Sequence, residues 1–410
     1  MTDQPISRRH VMQLGVAGAA SAIAGSAAAA QDRLDLPNRA VGQPAPDPSG
    51  PQELPENQKI GFAVVGLGKL ALGEVLPAFG QCKSAKLAAL VSGDPAKARR
   101  VAAQAGLSAD AIYDYDNYDR MAQDQRIQVV YVILPNSLHA DYTVRAFKAG
   151  KHVLCEKPMA TTVADCKAMI AAASAAQRKL MIAYRCFFEP KNLAAMRIMR
   201  SGELGRIVSF SSDNGRPSTL DDPSDQWRLD GPLSGGGALT DIGIYGINGA
   251  RYLLNEEPVE VRAWANTDRN DPRFRETEDA IHWQFRMASG AIVNGSTSFS
   301  YASTSRLQAI GDKGRLVMDP ATNYRGIQLM VQAGGGERKP GAGEINQFAR
   351  EMDEMAEIVR SNRPIVATGE EGMQDVRLML AILESVEKKG AAVRTDWGYR
   401  RAIDPAAAKG

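Results

Sequence analysis

Gly66-Leu67-Gly68-Lys69-Leu70-Ala71 fits the spacing G-x-G-x-x-G/A. The first glycine of such a run permits a tight turn, the second lets phosphate oxygens approach the backbone, and the small last residue lets a helix pack on the preceding strand. The N–H groups at the helix N-terminus then attract the phosphates. Here the run follows the apolar stretch IGFAVV and opens a stretch with helical spacing, the context the motif requires. That chemistry is dinucleotide binding. The next apolar run ends in Leu90-Val91-Ser92-Gly93, where a carboxylate would normally accept from the ribose 2′-hydroxyl. A serine there, with Lys97, Arg99 and Arg100 just beyond, suits a 2′-phosphate and favours NADP. The alternative is that Lys97 is a solvated helix charge and Asp94 serves NAD.

A second group lies further on. Leu134, Pro135, Asn136 and His139 follow the run VVYVILP, and Glu156-Lys157-Pro158 ends a later one, KHVLCEKP. In open α/β sheets ligands bind outside the carboxyl ends of the strands, so both sets border the same site. A Glu-Lys pair is ordinarily a surface ion pair, but one fixed by a following proline at a sheet edge invites a functional reading. His139 on its own reads as the first residue of a helix. The 4 histidines lack the spacing of metal ligands, so no catalytic metal is expected.

These residues need elements to hold them. From Ile60 to about Tyr184 short apolar runs alternate with helical stretches, which predicts a parallel, doubly wound Rossmann sheet with VVYVILP as its third strand. After about Lys191 the texture changes to runs such as RIVSFSSDNG, VEVRAWANTD, DAIHWQFRMASGAIVNGSTSFSYAS and GRLVMD. Their polar–apolar alternation and Gly, Asn and Asp turns predict a large, mainly antiparallel open sheet with helices on one face. The fold class is therefore α/β: a Rossmann domain over 60–185 and an α+β domain over 186–410, with DVRLMLAILESVEKK packing back between them.

The ends and the composition set the remaining bounds. Arg8-Arg9 after Ser7, then an apolar small-residue run closing on Ala28-x-Ala30, predict a cleaved twin-arginine signal over 1–30, and hence a periplasmic protein with no membrane attachment once the signal is removed. Residues 31–59 hold six prolines and read as an extended arm. With 49 basic against 47 acidic residues there is no electrostatic footprint for nucleic acid. Four cysteines, Cys82, Cys155, Cys166 and Cys186, lack paired spacing; Cys155 at a strand end and Cys166 in a helical stretch read as small buried hydrophobes, with a structural disulfide as the alternative.

Taken together, GLGKLA, ILPNSLHA, CEKPMA and GGGALTDIGIYGINGARYLL resemble the glucose-fructose oxidoreductase group within the wider Gfo/Idh/MocA family, and the likeness runs from about Ile60 to DWGYRR. The resemblance implies that Lys157 and Tyr245 form the catalytic pair, with Asp241 one helical turn before the tyrosine. Tyr245 would take a sugar hydroxyl proton, and the Lys157 ammonium would favour the phenolate. It also implies NADP contacts from Lys69, Leu70, Ser92, Lys97, Tyr115, Asn136, His139, Glu156, Lys157, Arg185, Trp227, Arg228 and Tyr324; without it Trp227 and Tyr324 read equally as core. The implied activity oxidises an aldose such as glucose to its lactone and reduces a second sugar, fructose to sorbitol, on one retained NADP by ping-pong hydride transfer. A homodimer or homotetramer is implied, with the arm reaching over the cofactor and a neighbouring subunit. An aldose–aldose oxidoreductase, a dinucleotide-dependent glycosidase and a non-enzymatic NADP-binding module stay open as rivals.

Overall fold

The computed structural model describes residues 50–341 and 343–407. The signal and the arm up to residue 49 lie outside the described residues. The end of the arm hangs on the start of the second strand, where Leu54 N–H donates to Lys83 O at 2.9 Å.

Six parallel strands form the first sheet: β1 Ile60–Val65, β2 Ala85–Val91, β3 Ile112–Tyr113, β4 Val129–Val132, β5 His152–Glu156 and β6 Leu180–Ala183, in the order β3-β2-β1-β4-β5-β6. IGFAVV and VVYV are apolar throughout because such strands are covered on both faces, and Phe62 to Val65 and Val129 to Val132 are all fully buried. VVYVILP is thus the fourth strand in the chain and not the third. The strand missed by the sequence reading, β3, has two residues and pairs only with β2, too short to show any period. The order reverses between β1 and β4, and a crevice opens there at the carboxyl ends.

The connecting helices start on readable caps. A helix over 69–81 leaves the glycine turn, with a π-helical turn at Ala71–Val75; it is α1. In α2, Pro95–Gln104, Asp94 caps the N–H groups of Ala96 and Lys97 and Pro95 takes the first position. The helix α3, His139–Lys148, leads to β5, and α4, Val163–Ala176, is capped by Thr162.

After α5, Pro190–Ser201, the second sheet begins. Its strands are β7 Ile207–Gly215, β8 Pro258–Asn266, β9 Ala280–Met287, β10 Ile292–Ser298, β11 Thr304–Gly311, β12 Gly314–Met318, β13 Leu329–Ala333, β14 Gly336–Arg338 and β15 Val393–Arg394. They run in the order β14-β13-β12-β11-β7-β10-β9-β8-β15, all neighbours antiparallel except β7 with β10. In β9 the buried residues Ile281, Trp283, Phe285 and Met287 alternate with exposed His282, Gln284 and Arg286, because helices cover one face only. Between β7 and β8 lie α6, Pro223–Leu229, and α7, Ile244–Leu254, the latter entered through a π-helical turn at Leu239–Gly243.

Two late helices tie the sheets together. In α8, Gln347–Ser361, the buried Asp353 carboxylate accepts from the N–H groups of Lys83, Ser84 and Ala85 at 2.7–3.0 Å, so this helix packs under the Rossmann sheet although it follows β7 to β14 of the second sheet in the chain. In α9, Gly369–Glu387, Gly372 lies so close to Met159 and Ile182 that a Cβ would meet both at 2.9 Å. At its other end Ser385 Oγ accepts from Ala263 N–H of β8 at 2.9 Å, which places α9 between the two domains. All four cysteines are free and buried, and among the described residues no helix is long and apolar enough to cross a membrane.

Candidate active site

A cavity of about 1610 Å³ lies between the carboxyl ends of the Rossmann strands and the ends of the interior strands β7 and β11 of the second sheet. Ordinary small-ligand pockets hold roughly 300–1,000 Å³, so there is room for a dinucleotide and a second molecule.

At one end, Gly66 has φ +95° and a Cβ there would meet Ile133 O at 2.2 Å, so the turn admits glycine alone. A Cβ at Gly68 would point into open space, which leaves the backbone bare toward the cavity. This cradle at the start of α1 is the fit a pyrophosphate needs. Leu67, Lys69 and Leu70 complete the turn, and Lys97 with Tyr115 forms the wall beyond it.

Ser92 stands apart from this wall. It is buried, its Oγ accepts from Asp94 N–H at 3.2 Å, and it does not line the cavity. Asp94 in turn is occupied in capping α2. The lysine of that pair faces the cavity and the serine shapes the turn that presents it.

The loop after β4 brings Leu134, Pro135, Asn136 and His139 to the cavity. Asn136 Nδ2 donates to Ser234 O at 2.8 Å, joining the two domains. His139 is fully buried, with Nδ1 2.8 Å from Pro158 O and Nε2 2.8 Å from Leu134 O. Burial holds its pKa below the usual value in spite of those carbonyls, and its ring joins the two loops.

The reactive end is built from β5, β6, α7 and α8. Lys157 Nζ donates to Asp241 O at 2.6 Å, lies 3.8 Å from Asp241 Oδ1, and sits 4.7 Å from the centre of the Tyr245 ring. Tyr245 also meets Arg185, whose guanidinium is 5.0 Å from the Tyr245 ring and 4.6 Å from that of Tyr324. Arg185 is buried and donates to neutral acceptors: Gln347 Oε1 at 2.6 Å and the carbonyls of Thr322 and Asn323. Burial pushes the Tyr245 phenol up to about 12, and Arg185 is the cation that opposes the rise. The sequence reading gave that task to Lys157, which lies as close to the ring as Arg185 does. Asp241 shares the Lys157 charge, whereas among the described residues no carboxylate is hydrogen-bonded to Arg185.

Asp241 gathers cations. Arg228 Nε donates to its Oδ2 at 2.9 Å, and Arg216 and Lys157 each approach to 3.8 Å. Burial pushes this carboxyl up, but the three cations outweigh it and hold it below its ordinary pKa. It is an anion that orients its neighbours. Trp227 lies under the Arg228 guanidinium at 4.5 Å and lines the cavity, as does Tyr324, which is 39% exposed; neither is a core residue. Glu156 accepts from Tyr131 OH at 2.8 Å and from Lys157 N–H at 3.2 Å, and burial raises its pKa. Among the described residues no group of three His, Cys, Asp or Glu side chains is placed to hold a metal.

Sequence reasoning missed the cavity's third wall. Asn214, Arg216, Ser305 and Thr322 reach it from the ends of β7 and β11 and the loop after β12. Arg216 is clamped by both Asp225 oxygens at 2.5 and 3.1 Å, and Ser305 Oγ is 2.7 Å from Thr322 Oγ1. No local motif announces them, because strand pairing alone brings them together.

Comparison with known proteins gives two family models. Residues 60–184 match an oxidoreductase family with an NAD-binding Rossmann fold, and residues 192–317 match the GFO/IDH/MocA C-terminal domain. The chain is 30% identical over 344 residues to D-xylose 1-dehydrogenase [NADP(+)] of Haloarcula marismortui, covering 82% of this chain and 93% of that protein. It is 25% identical over 345 residues to inositol 2-dehydrogenase of Rhizobium meliloti, covering 80% and 98%. The crystal structure of aldose-aldose oxidoreductase from Caulobacter crescentus, complexed with glycerol, is 43% identical with a TM-score of 0.79, covering 82% of this chain and 99% of that one.

Proposed function

The chain belongs to the GFO/IDH/MocA family of oxidoreductases, and on that premise we propose that it is a sugar oxidoreductase that keeps one NADP bound and passes hydride from an aldose to a second sugar. The observation that carries this reading is the placement of Tyr245 between Lys157 and Arg185, at the end of a cavity whose other end is the Gly66–Gly68 cradle.

Gly66 to Leu70 would hold the pyrophosphate, Lys97 the 2′-phosphate, and Pro135, Glu156 and Lys157 would border the nicotinamide end. When bound, NADP supplies an acceptor for the hydride from sugar C1 and a donor for its return. Tyr245 takes the C1 hydroxyl proton as the aldose becomes a lactone and gives it back to the carbonyl oxygen of the second sugar as that becomes an alcohol. Electrons and protons then balance over two half-reactions in one site, the ping-pong pattern. Arg185 stabilises the phenolate, Lys157 orients the reacting hydroxyl, and Asp241 keeps Lys157, Arg216 and Arg228 aligned.

The likeness to an aldose-aldose oxidoreductase supports an aldose in both roles, while the motifs shared with glucose-fructose oxidoreductases support fructose as acceptor and sorbitol as product. The twin-arginine signal supports export of the folded, cofactor-loaded enzyme to the periplasm, where an enzyme that regenerates its own nucleotide needs no external pool. The exposed face of the second sheet carries Trp264, Ile292 and Ile310 and supports association into a homodimer or homotetramer.

The test is direct. The purified protein is scanned for bound nicotinamide, reduced with glucose, and then challenged with fructose, with xylose or with glucose in excess. Bleaching of the reduced band by a second sugar is expected, and the sugar that bleaches faster names the acceptor. A preparation with no bound nucleotide, or a reduced band that no sugar bleaches, overturns the retained-cofactor reading.

A further inference from the structure

Behind the catalytic pair lies a buried ionic cluster that none of the chemistry above uses. At its centre is Asp375 of α9, fully buried. Its Oδ2 accepts from Tyr184 OH at 2.6 Å and from Asn248 Nδ2 at 2.8 Å, and its Oδ1 from Arg251. Tyr184 immediately precedes Arg185 at the end of β6. Asn248 lies three residues after Tyr245 in α7, on the neighbouring position of the same helix face. One carboxylate therefore joins the two elements that carry the cation and the phenol.

The next layer holds that carboxylate. Glu371, one turn earlier in α9, faces Arg251 at 3.0 Å and Arg401 at 2.7 Å, and accepts from Tyr399 OH at 2.6 Å. Arg251 is further paired with Glu257 at 2.8 Å, and Arg401 donates to Arg251 O at 3.2 Å. Tyr399 and Arg401 belong to the terminal DWGYRR stretch. Buried ion pairs contribute little net stability, but once formed they enforce one geometry, because any partner left alone is a buried, uncompensated charge.

We propose, on the footing of the activity above, that Asp375 is a positioning residue that fixes the Tyr245 helix against the Arg185 strand end, and that Tyr399 and Arg401 hold it there through Glu371. Every charged or titratable neighbour bears on its protonation. Burial, with Glu371 nearby, keeps the Asp375 carboxyl above the usual carboxylate range in spite of Arg251; Glu371 also feels burial, but Arg251 and Arg401 hold it below that range. Tyr184, Tyr399 and Glu257 complete the set.

The experiment compares parent, Asp375→Asn, Tyr184→Phe, their double variant and the milder Tyr399→Phe, all checked for bound nucleotide. Expected are a roughly tenfold loss of kcat in Asp375→Asn with sugar KM within about twofold, and a double variant no slower than the slower single, since both remove one interaction. Protonation of Asp375 in the parent should add an acid limb to the pH profile of kcat. That limb should vanish in Asp375→Asn, which cannot gain the proton. Tyr399→Phe should lose a smaller factor in kcat and keeps the test open if Asp375→Asn does not fold. Parent-like kcat in Asp375→Asn and Tyr399→Phe, or an acid limb unchanged by Asp375→Asn, overturns the proposal. If the parent oxidises no sugar, the reading of function falls, and crystal structures of the variants decide the inference. An Arg185-to-Tyr245 separation that stays within about 0.5 Å of 5.0 Å then refutes it.

Discussion

Tyr245 meets two cations with different commitments, and under the proposed reaction that difference sets how readily it gives up its proton. Lys157 is bound to Asp241, whereas Arg185 donates to the neutral oxygens of Gln347, Thr322 and Asn323 and to Cys186 Sγ. Replacing Tyr245 by Phe should lower turnover by about 10²–10⁴, the usual contribution of a positioned proton-transfer group, with nucleotide content unchanged. With the phenol pushed up to about 12, the reactive phenolate is a minor form at neutral pH, so turnover should rise through the alkaline range. Arg185→Gln removes the charge that opposes the rise. The limb should therefore move to higher pH and turnover at pH ~8 should fall about tenfold or more, a tenfold drop in the phenolate fraction corresponding to about 1.4 kcal/mol. A limb that stays in place would return the activating role to Lys157. At this scale GLGKLA and EKP announce themselves by local spacing, but the place of Arg185 beside the phenol does not, because it depends on partners distant in sequence.

At the scale of elements, the decisive pieces are the turn after β1 and the helix α8. The turn was legible because its glycines answer a steric demand that the letters show directly. The role of α8 was not: Asp353 docks it under the Rossmann sheet across some 270 residues of chain, and nothing in QFAREMDEMAEIVRS names its partner. Asp353→Ala leaves three N–H groups at the start of β2 without their charged acceptor. Urea denaturation should show a loss of about 3 kcal/mol, from the range of hydrogen bonds to a buried charge. A loss below about 1 kcal/mol would mean that water replaces the carboxylate there. The short β3 and the unannounced β11 make the same point, since pairing with a neighbour defines a strand that its own residues barely suggest.

Across the whole molecule, two ion pairs span the mouth of the cavity. Lys69 Nζ lies 3.1 Å from Asp222 Oδ2, and Arg325 lies 2.9 Å from Glu74. Both join α1 of the Rossmann domain to the second domain, on either side of the nucleotide cradle. Exposed pairs contribute about 0.2–1 kcal/mol, so Asp222→Asn and Glu74→Gln should each speed NADP release by no more than about fivefold, as should high salt. Stopped-flow trapping of released nucleotide measures this, and unchanged rates would mean that retention resides elsewhere. Trp264→Glu, on the exposed face of the second sheet, should shift the protein toward monomer in light scattering if that face joins subunits. The sequence by itself determined the Rossmann half and the dinucleotide turn, because each is carried by short-range steric or periodic rules, and its motifs carried the resemblance to the family, which implied Lys157, Asp241 and Tyr245. Only the tertiary structure decided that Arg185 joins Lys157 at the phenol, that Ser92 does not line the cavity, that Arg216 and Thr322 complete its wall, and that Arg401 reaches the Tyr245 helix. Those outcomes depend on burial and on partners distant in sequence, and charge in a buried site is set by what surrounds it.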